Sequence, residues 1–264
     1  MPTLLGIPFD ANSSYLRGTA GAPAKIREAL RGEASNSWSE TFVNIGEPGA
    51  YGDEGDLALK EDGTAFGVIE EAVGDLLKKS EKPVSLGGDH SITYPVVKAF
   101  AKHFPELTIV HFDAHPDLYD EFEGNRLSHA CPFARIMEER LAKRLVQVGI
   151  RTLNGPQQKQ AVKYGVEVVE MKHLPVIERL KSVRGPVYIT FDLDVLDPAF
   201  APGVSHREPG GMSAREAIAH LHAIGGTLVG ADLVEYNPVQ DIAGLTATVA
   251  GKILKEILGK MIAA

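Results

Sequence analysis

Short apolar runs rich in β-branched residues alternate along this chain with longer segments whose apolar positions recur at helical spacing. Thr3–Ile7 reads as a first strand and ends in the turn-rich Pro8–Ser14. Ala24–Leu30 follows as a helix, with Pro23 where a first turn tolerates it. Glu33–Glu40 is polar, carries the sole tryptophan, Trp38, and reads as a surface loop. Phe42–Ile45 suggests a short strand, and the acidic, glycine-containing Tyr51–Gly63 a solvated loop. Thr64–Lys79 then sets Phe66, Val68, Ile69, Val73, Leu76 and Leu77 on one helical stripe.

From there the alternation is regular. Strands are expected at Pro83–Leu86, Leu107–Phe112, Leu145–Ile150, Val166–Val169, Val187–Phe191 and Thr227–Val234. Helices are expected at Ser91–His103, Cys131–Ala142, Gln157–Tyr164, Leu174–Val183, Ala214–Ile224 and Leu245–Leu258. Strands alternating with helices mean βαβ units and a mostly parallel sheet covered on both faces. An open three-layer α/β/α sheet and a closed eight-fold barrel both satisfy the spacing. Either way, function belongs at the carboxyl ends of the strands.

Composition changes this picture little. No linker, repeat or low-complexity stretch divides residues 1–264, which are expected to form one domain. The single Cys131 excludes an internal disulfide scaffold. A net charge of −8 without a Lys/Arg run argues against nucleic acid or an anionic membrane as partner. Leu4–Ile7 is too short for a signal-peptide core and no 18-residue apolar span occurs, so a cytoplasmic protein is expected.

The chemistry stands at four strand ends. Pro83–Leu86 runs into Gly87-Gly88-Asp89-His90-Ser91, and Leu107–Phe112 into Asp113, His115 and Asp117, spaced to share one face if the chain stays extended. Val187–Phe191 leads to Asp192 and Asp194, again at a spacing of two, then Asp197; Thr227–Val234 leads to Glu235 and Asn237. Unpaired buried carboxylates are costly, and divalent metal is the simplest way to hold so many together. Two imidazoles and four carboxylates fit two ions sharing carboxylate bridges. An oxygen-rich set without thiolate points to Mn²⁺ ahead of Zn²⁺, Co²⁺, Ni²⁺ or Fe²⁺. Two ions roughly 3.5–4 Å apart can lower the pKa of a shared water from about 15.7 toward neutrality.

GGDHS, DAHPD and FDLDVLDPAFAPG resemble the ureohydrolase family of arginases, agmatinases and their relatives. FEGNRLSHA, APGVSHREPGG and GADLVEYNP look most like plant-type arginases and the bacterial proteins akin to them. The resemblance covers nearly the whole chain and implies the open three-layer fold. It implies that His90, Asp113, Asp117 and Asp192 hold one Mn²⁺ while Asp113, His115, Asp192 and Asp194 hold the other. It further implies that Glu235 pairs with a substrate guanidinium and that His129 is a loop histidine serving proton transfer. Asp197 reads as a turn residue or a support for the ligands. The implied reaction is attack of a metal-bridging hydroxide on the guanidinium carbon, with Asp194 or His129 protonating the leaving amine. Products are urea and a primary amine, and assembly as a homotrimer or homohexamer is expected from the family.

The substrate's far end is less legible. Tyr119–Leu127 stands where the arginases of animals and bacteria carry a loop for the amino-acid end of arginine, and offers Asn125 and Arg126 as carboxylate donors. Asn154 stands near where those proteins present an aspartate to the α-amino group. His206 and Arg207 lie close enough to line the mouth, and Arg151 could contribute. These departures favour agmatine, whereas plant-type arginases share them and are named for arginine. Another guanidino compound such as guanidinobutyrate, and a one-zinc deacetylase on the same fold, are the alternatives. Both His90 and Asp117 being present counts against the deacetylase.

Overall fold

The apolar runs pair as strands because only a sheet covered on both faces can bury them. The computed structural model describes residues 1–263. Its strands are β1 (Pro2–Gly6), β2 (Gly52–Asp56), β3 (Lys82–Leu86), β4 (Thr108–Phe112), β5 (Arg144–Ile150), β6 (Glu167–Glu170), β7 (Pro186–Asp192) and β8 (Thr227–Val234). All pairings are parallel, in the order β2-β1-β3-β8-β7-β4-β5-β6. The sheet therefore has two edges and is open, which excludes the barrel. The order also places β3, β8, β7 and β4 side by side, and these are the strands whose carboxyl ends carry the candidate chemistry.

The helices are α1 (Ala22–Arg31), α2 (Ala65–Lys78), α3 (Thr93–Ala101), α4 (Pro132–Glu138), α5 (Gly155–Tyr164), α6 (Ile177–Lys181), α7 (Ala214–Ala223) and α8 (Leu245–Ile262). Helices α1, α6, α7 and α8 pack with Val110, Phe112, Ile189, Phe191 and Leu233 on one face. Helices α2 to α5 pack with Ile109, Leu145 and Tyr188 on the other. Successive strand residues thus enter two separate cores, as alternation in a doubly covered sheet requires. No helix among the described residues is long and apolar enough to cross a membrane.

One row breaks the apolar pattern. Ser85, Asp232, Thr190, His111 and Gln147 are partners in register across β3, β8, β7, β4 and β5, and each is 0% exposed. Register alignment turns all five toward the α2–α5 face, just beneath the strand ends.

Several local expectations are corrected. The expected loop Tyr51–Gly63 contains β2, whose sequence GDEGD hides an edge strand with no apolar side to bury. Its acids instead meet Arg27, which ion-pairs with Asp53 and Asp56. Phe42–Ile45 is not a strand: Phe42 takes φ +60° in a turn, leaving only an isolated bridge between Trp38 and Asn44. Leu174–Val183 shortens to α6, behind a 3-10 turn at Met171–His173. Cys131–Ala142 shortens to α4, with Arg140 at φ +56° just beyond its end. Ser91–His103 begins as a 3-10 turn at His90–Ile92, capped by Asp89.

Candidate active site

Glycines after β3 let two segments meet. A Cβ on Gly88 would lie 1.8 Å from the Phe9 carbonyl oxygen, so only glycine permits the contact. The buried Asp89 then accepts the backbone N–H of Asn12 at 3.0 Å and that of Ser91 at 3.0 Å, fixing the Pro8–Ser14 turn beside the strand end. Gly88 also accepts Glu235 N–H at 3.0 Å, and Glu235 Oε1 accepts His90 N–H at 2.8 Å.

The DxHxD segment is not extended. Strand β4 stops at Phe112, and Asp117 sits at φ +48°. The turn, rather than strand alternation, brings Asp117 round to His90. Likewise Asp194 lies in a 3-10 turn after β7, with its N–H donated to Asp192 Oδ1 at 2.7 Å. Both sets read as sharing one strand face, the triplet Asp113, His115 and Asp117 and the pair Asp192 and Asp194, are assembled by tight turns.

Those turns make two donor clusters. His90 Nδ1 stands 3.1 Å from Asp113 Oδ2, 3.2 Å from Asp117 Oδ2 and 3.2 Å from Asp192 Oδ2. His115 Nδ1 stands 3.3 Å from Asp113 Oδ1 and 2.9 Å from Asp194 Oδ2. Asp113 therefore turns one oxygen to each cluster. His90 Nε2 lies 2.9 Å from the Thr190 hydroxyl, leaving Nδ1 buried without a hydrogen-bond partner among the described residues. A buried nitrogen with no partner among carboxylate oxygens is what a metal ligand looks like before its ion is added.

The electrostatics agree. Burial first, then Asp194 and Asp113, drive the Asp192 carboxyl well above the usual range. Burial raises Asp194 as well, against the pull of His115. Burial disfavours a charged His90, yet the surrounding Asp113, Asp117 and Asp192 outweigh it and lift the ring well above its ordinary value. Four carboxylates exposed by no more than 7% repel one another and attract any cation that fits.

A cavity of about 300 Å³ opens over both clusters. Ser14, Tyr119, Phe122, His129, Thr152, Asn154, His206 and Glu235 line it together with His115, Asp117, Asp192 and Asp194 of the two clusters. His129 Nδ1 is 2.8 Å from Glu235 Oε1 and its Nε2 is 2.8 Å from the Ser14 hydroxyl. Burial opposes charge on His129, but Glu235 outweighs it and raises the ring to about 9. Burial pushes Glu235 up, and His129 overrides this to hold the carboxyl below its ordinary value. A larger groove of about 710 Å³, lined by Lys25, Glu28, Tyr236 and Lys252 among others, gathers no comparable set of metal donors.

His90, Asp113, His115, Asp117, Asp192, Asp194, His129 and Glu235 are thus brought together. Asn154 and His206 line the cavity too; Asn154 caps α5 through its carbonyl and donates its amide to the Tyr119 hydroxyl. The His206 ring lies 5.6 Å from that of His115 and 5.4 Å from that of His129. Asn125 is not brought to the cavity: its amide donates to Asn12 Oδ1 at 3.1 Å and its oxygen accepts Leu127 N–H at 2.8 Å. Arg126 ion-pairs with Asp120 and Glu138, Arg151 donates to the carbonyls of Asp194 and Glu208, and Arg207 donates to the Pro202 carbonyl. Sequence reading passed over Ser14, Tyr119, Thr152 and His111. Only His111 carried a signal, as a lone polar residue inside an apolar strand.

A family model described as "Arginase family" matches residues 2–259. Arginase 1, mitochondrial, of Arabidopsis thaliana is 46% identical over 276 residues, covering 98% of this chain and 80% of that protein. Agmatinase of Bacillus subtilis (strain 168) is 37% identical over 264 residues, covering 97% of this chain and 90% of that protein. Among solved structures, an arginase from Medicago truncatula superposes with a TM-score of 0.94 at 43% identity, covering 98% of this chain and 87% of the other.

Proposed function

The chain belongs to the arginase family of ureohydrolases, and from that premise we propose a two-manganese enzyme that splits the guanidinium of L-arginine or agmatine into urea and ornithine or putrescine. The observation that carries this reading is the opening of two imidazole–carboxylate clusters, joined through Asp113, onto the cavity that holds Glu235. His90, Asp113, Asp117 and Asp192 would hold one ion, and Asp113, His115, Asp192 and Asp194 the other. When bound, the ions supply Lewis-acid activation of water near neutral pH.

The chain's own residues do the rest. Glu235 offers an anionic carboxylate whose hydrogen bonds fall on Oε1 alone among the described residues, leaving Oε2 for a planar guanidinium. It is held rigidly, because His90 N–H and the His129 ring both bind the same oxygen. His129 keeps a proton at neutral pH and sits beside Glu235, where the leaving amine must be protonated. Asp194 Oδ2 faces the same space from the opposite cluster.

Two observations bear on the substrate. The plant relatives named arginase, at 46% identity, support arginine. Among the described residues the cavity is lined by no lysine or arginine, and its one protonated ring, His129, is already paired with Glu235, so an α-carboxylate would meet chiefly neutral donors such as Asn154, Thr152 and Ser14. That lining favours agmatine and disfavours guanidinobutyrate. Urea release by Mn²⁺-loaded protein, measured with arginine, agmatine and guanidinobutyrate side by side, tests the reading. Turnover of either of the first two supports it, and no urea from any of them overturns it.

A further inference from the structure

The buried polar row beneath the strand ends has chemistry of its own. Two side chains in register, Gln147 on β5 and His111 on β4, come into contact with each other and, through His111, with Asp113 just past the end of β4. Gln147 Nε2 lies 3.0 Å from His111 Nδ1 and 2.6 Å from the Pro116 carbonyl oxygen. His111 Nε2 lies 2.7 Å from Asp113 Oδ2. The His111 ring is clamped against Phe133, with centroids 4.0 Å apart and planes inclined by 29°. All of Gln147, His111, Phe133 and Asp113 are 0% exposed.

Proton positions follow from these neighbours. A carbonyl oxygen has no hydrogen to give, so the Gln147 atom facing Pro116 must be the amide nitrogen. The same –NH₂ group faces His111 Nδ1, which therefore accepts. A ring accepting at Nδ1 carries its proton at Nε2, where it donates to Asp113 Oδ2. Flipping the amide would set two oxygens 2.6 Å apart with no proton between them.

We propose that Gln147 locks His111 in its Nε2–H tautomer, so that His111 is a donor that orients the bridging carboxylate of Asp113 and is not itself a metal ligand. By distance alone His111 qualifies as a ligand, since its ring, His90 and Asp113 offer ligand atoms within 4.8 Å of one another, as His115, Asp113 and Asp194 do. The tautomer rules it out, because the nitrogen facing the cluster carries hydrogen and has no lone pair to offer. With Oδ2 held from behind, Asp113 keeps one oxygen toward His90 and the other toward His115, the orientation a shared ligand needs. Thr190, the next residue in the row, does the corresponding job for His90 by engaging Nε2 and leaving Nδ1 free.

The inference rests on reading the site as a metal centre, and the experiment separates the two. Nitrogen-15 spectra of the imidazoles in metal-free protein report the His111 tautomer without any metal. The expected spectrum has a bare, pyridine-type Nδ1 and a protonated Nε2; a protonated Nδ1 overturns the proposal. Mn²⁺ titration by calorimetry then compares wild type, His111→Phe, His111→Gln and Gln147→Leu, each checked for folding by circular dichroism. Loss of the donor should weaken binding about 10- to 100-fold in His111→Phe. His111→Gln, which sets an amide N–H near the same point, should recover most of that loss. Gln147→Leu should weaken binding less, with both tautomers appearing in the spectrum. Wild-type affinity in His111→Phe overturns the proposal, as does loss of the Nε2 proton when Mn²⁺ is added. Absence of Mn²⁺ binding by wild type would instead overturn the metal reading itself.

Discussion

His129 Nδ1 and Glu235 Oε1 lie 2.8 Å apart inside the cavity, although 106 positions separate them in the chain. In the proposed function, the pair sets a charged donor and a charged acceptor at the point where a guanidinium would bind and an amine would leave. Its two members should fail differently when replaced.

His129→Asn should leave bound metal unchanged while turnover falls about 10²- to 10⁴-fold, the usual contribution of a positioned proton donor. Metal analysis together with steady-state kinetics checks this. Unchanged kcat would reduce His129 to a lining residue.

Glu235→Gln keeps the shape and removes the charge that faces the substrate cation. Truncating one side of a buried charged pair costs about 2–5 kcal/mol, so kcat/KM should fall by roughly 30-fold or more. Saturation kinetics with the better of arginine and agmatine reads the effect. A loss below about threefold would remove Glu235 from guanidinium recognition.

The same pair links stability to pH in the metal-free protein. His129 rises from 6.5 to about 9 on folding, so the protonated ring stabilises the fold below the lower value. That contribution is lost as pH climbs through the higher value. A displacement of this size is worth at most about 3 kcal/mol. Urea unfolding of wild type and His129→Asn should differ most near pH 6 and converge by about pH 10. A gap that widens with rising pH would contradict the assigned proton.

Gly88→Ala should destabilise the protein by about 1–3 kcal/mol, since overpacked positions relax incompletely. The new methyl would fall 1.8 Å from Phe9 O and push away the turn that carries Ser14. Urea midpoints and activity should fall together. An unchanged midpoint would show that the turn yields freely.

Much of this arrangement was legible because its residues sit where a parallel α/β sheet exposes side chains. Asp113, Asp192 and Glu235 each follow an apolar run directly, His90 follows one after Gly87-Gly88-Asp89, and the run itself marks the strand end. Their exact approach was not legible. The left-handed turns at Asp117 and Glu235 depend on neighbouring strands to hold them, and no local residue announces them. Strand β2 was hidden for the opposite reason: an edge strand bonded through its backbone needs no apolar face, so GDEGD looks like a loop. The polar row from Ser85 to Gln147 appears in sequence as isolated polar residues in five apolar runs. Only the register shows that they stand side by side. At the substrate's far end, Asn125 was singled out for its chemistry, but the loop turns it toward Asn12.

Asp192→Asn should deplete bound Mn²⁺ and abolish urea release, because the change removes charge from a carboxylate shared by both proposed ligand sets. Metal content per chain after dialysis is the readout. Normal metal content with full activity would take Asp192 out of the centre.

The most direct test of the account is reconstitution. Protein stripped with a chelator is titrated with Mn²⁺ while bound metal and urea release are followed on the same samples, with arginine and agmatine as substrates. The account predicts no urea from the stripped protein and activity that grows with binding until two Mn²⁺ are held per chain. Undiminished urea release by the stripped protein, or two bound Mn²⁺ with no urea from either substrate, would contradict it.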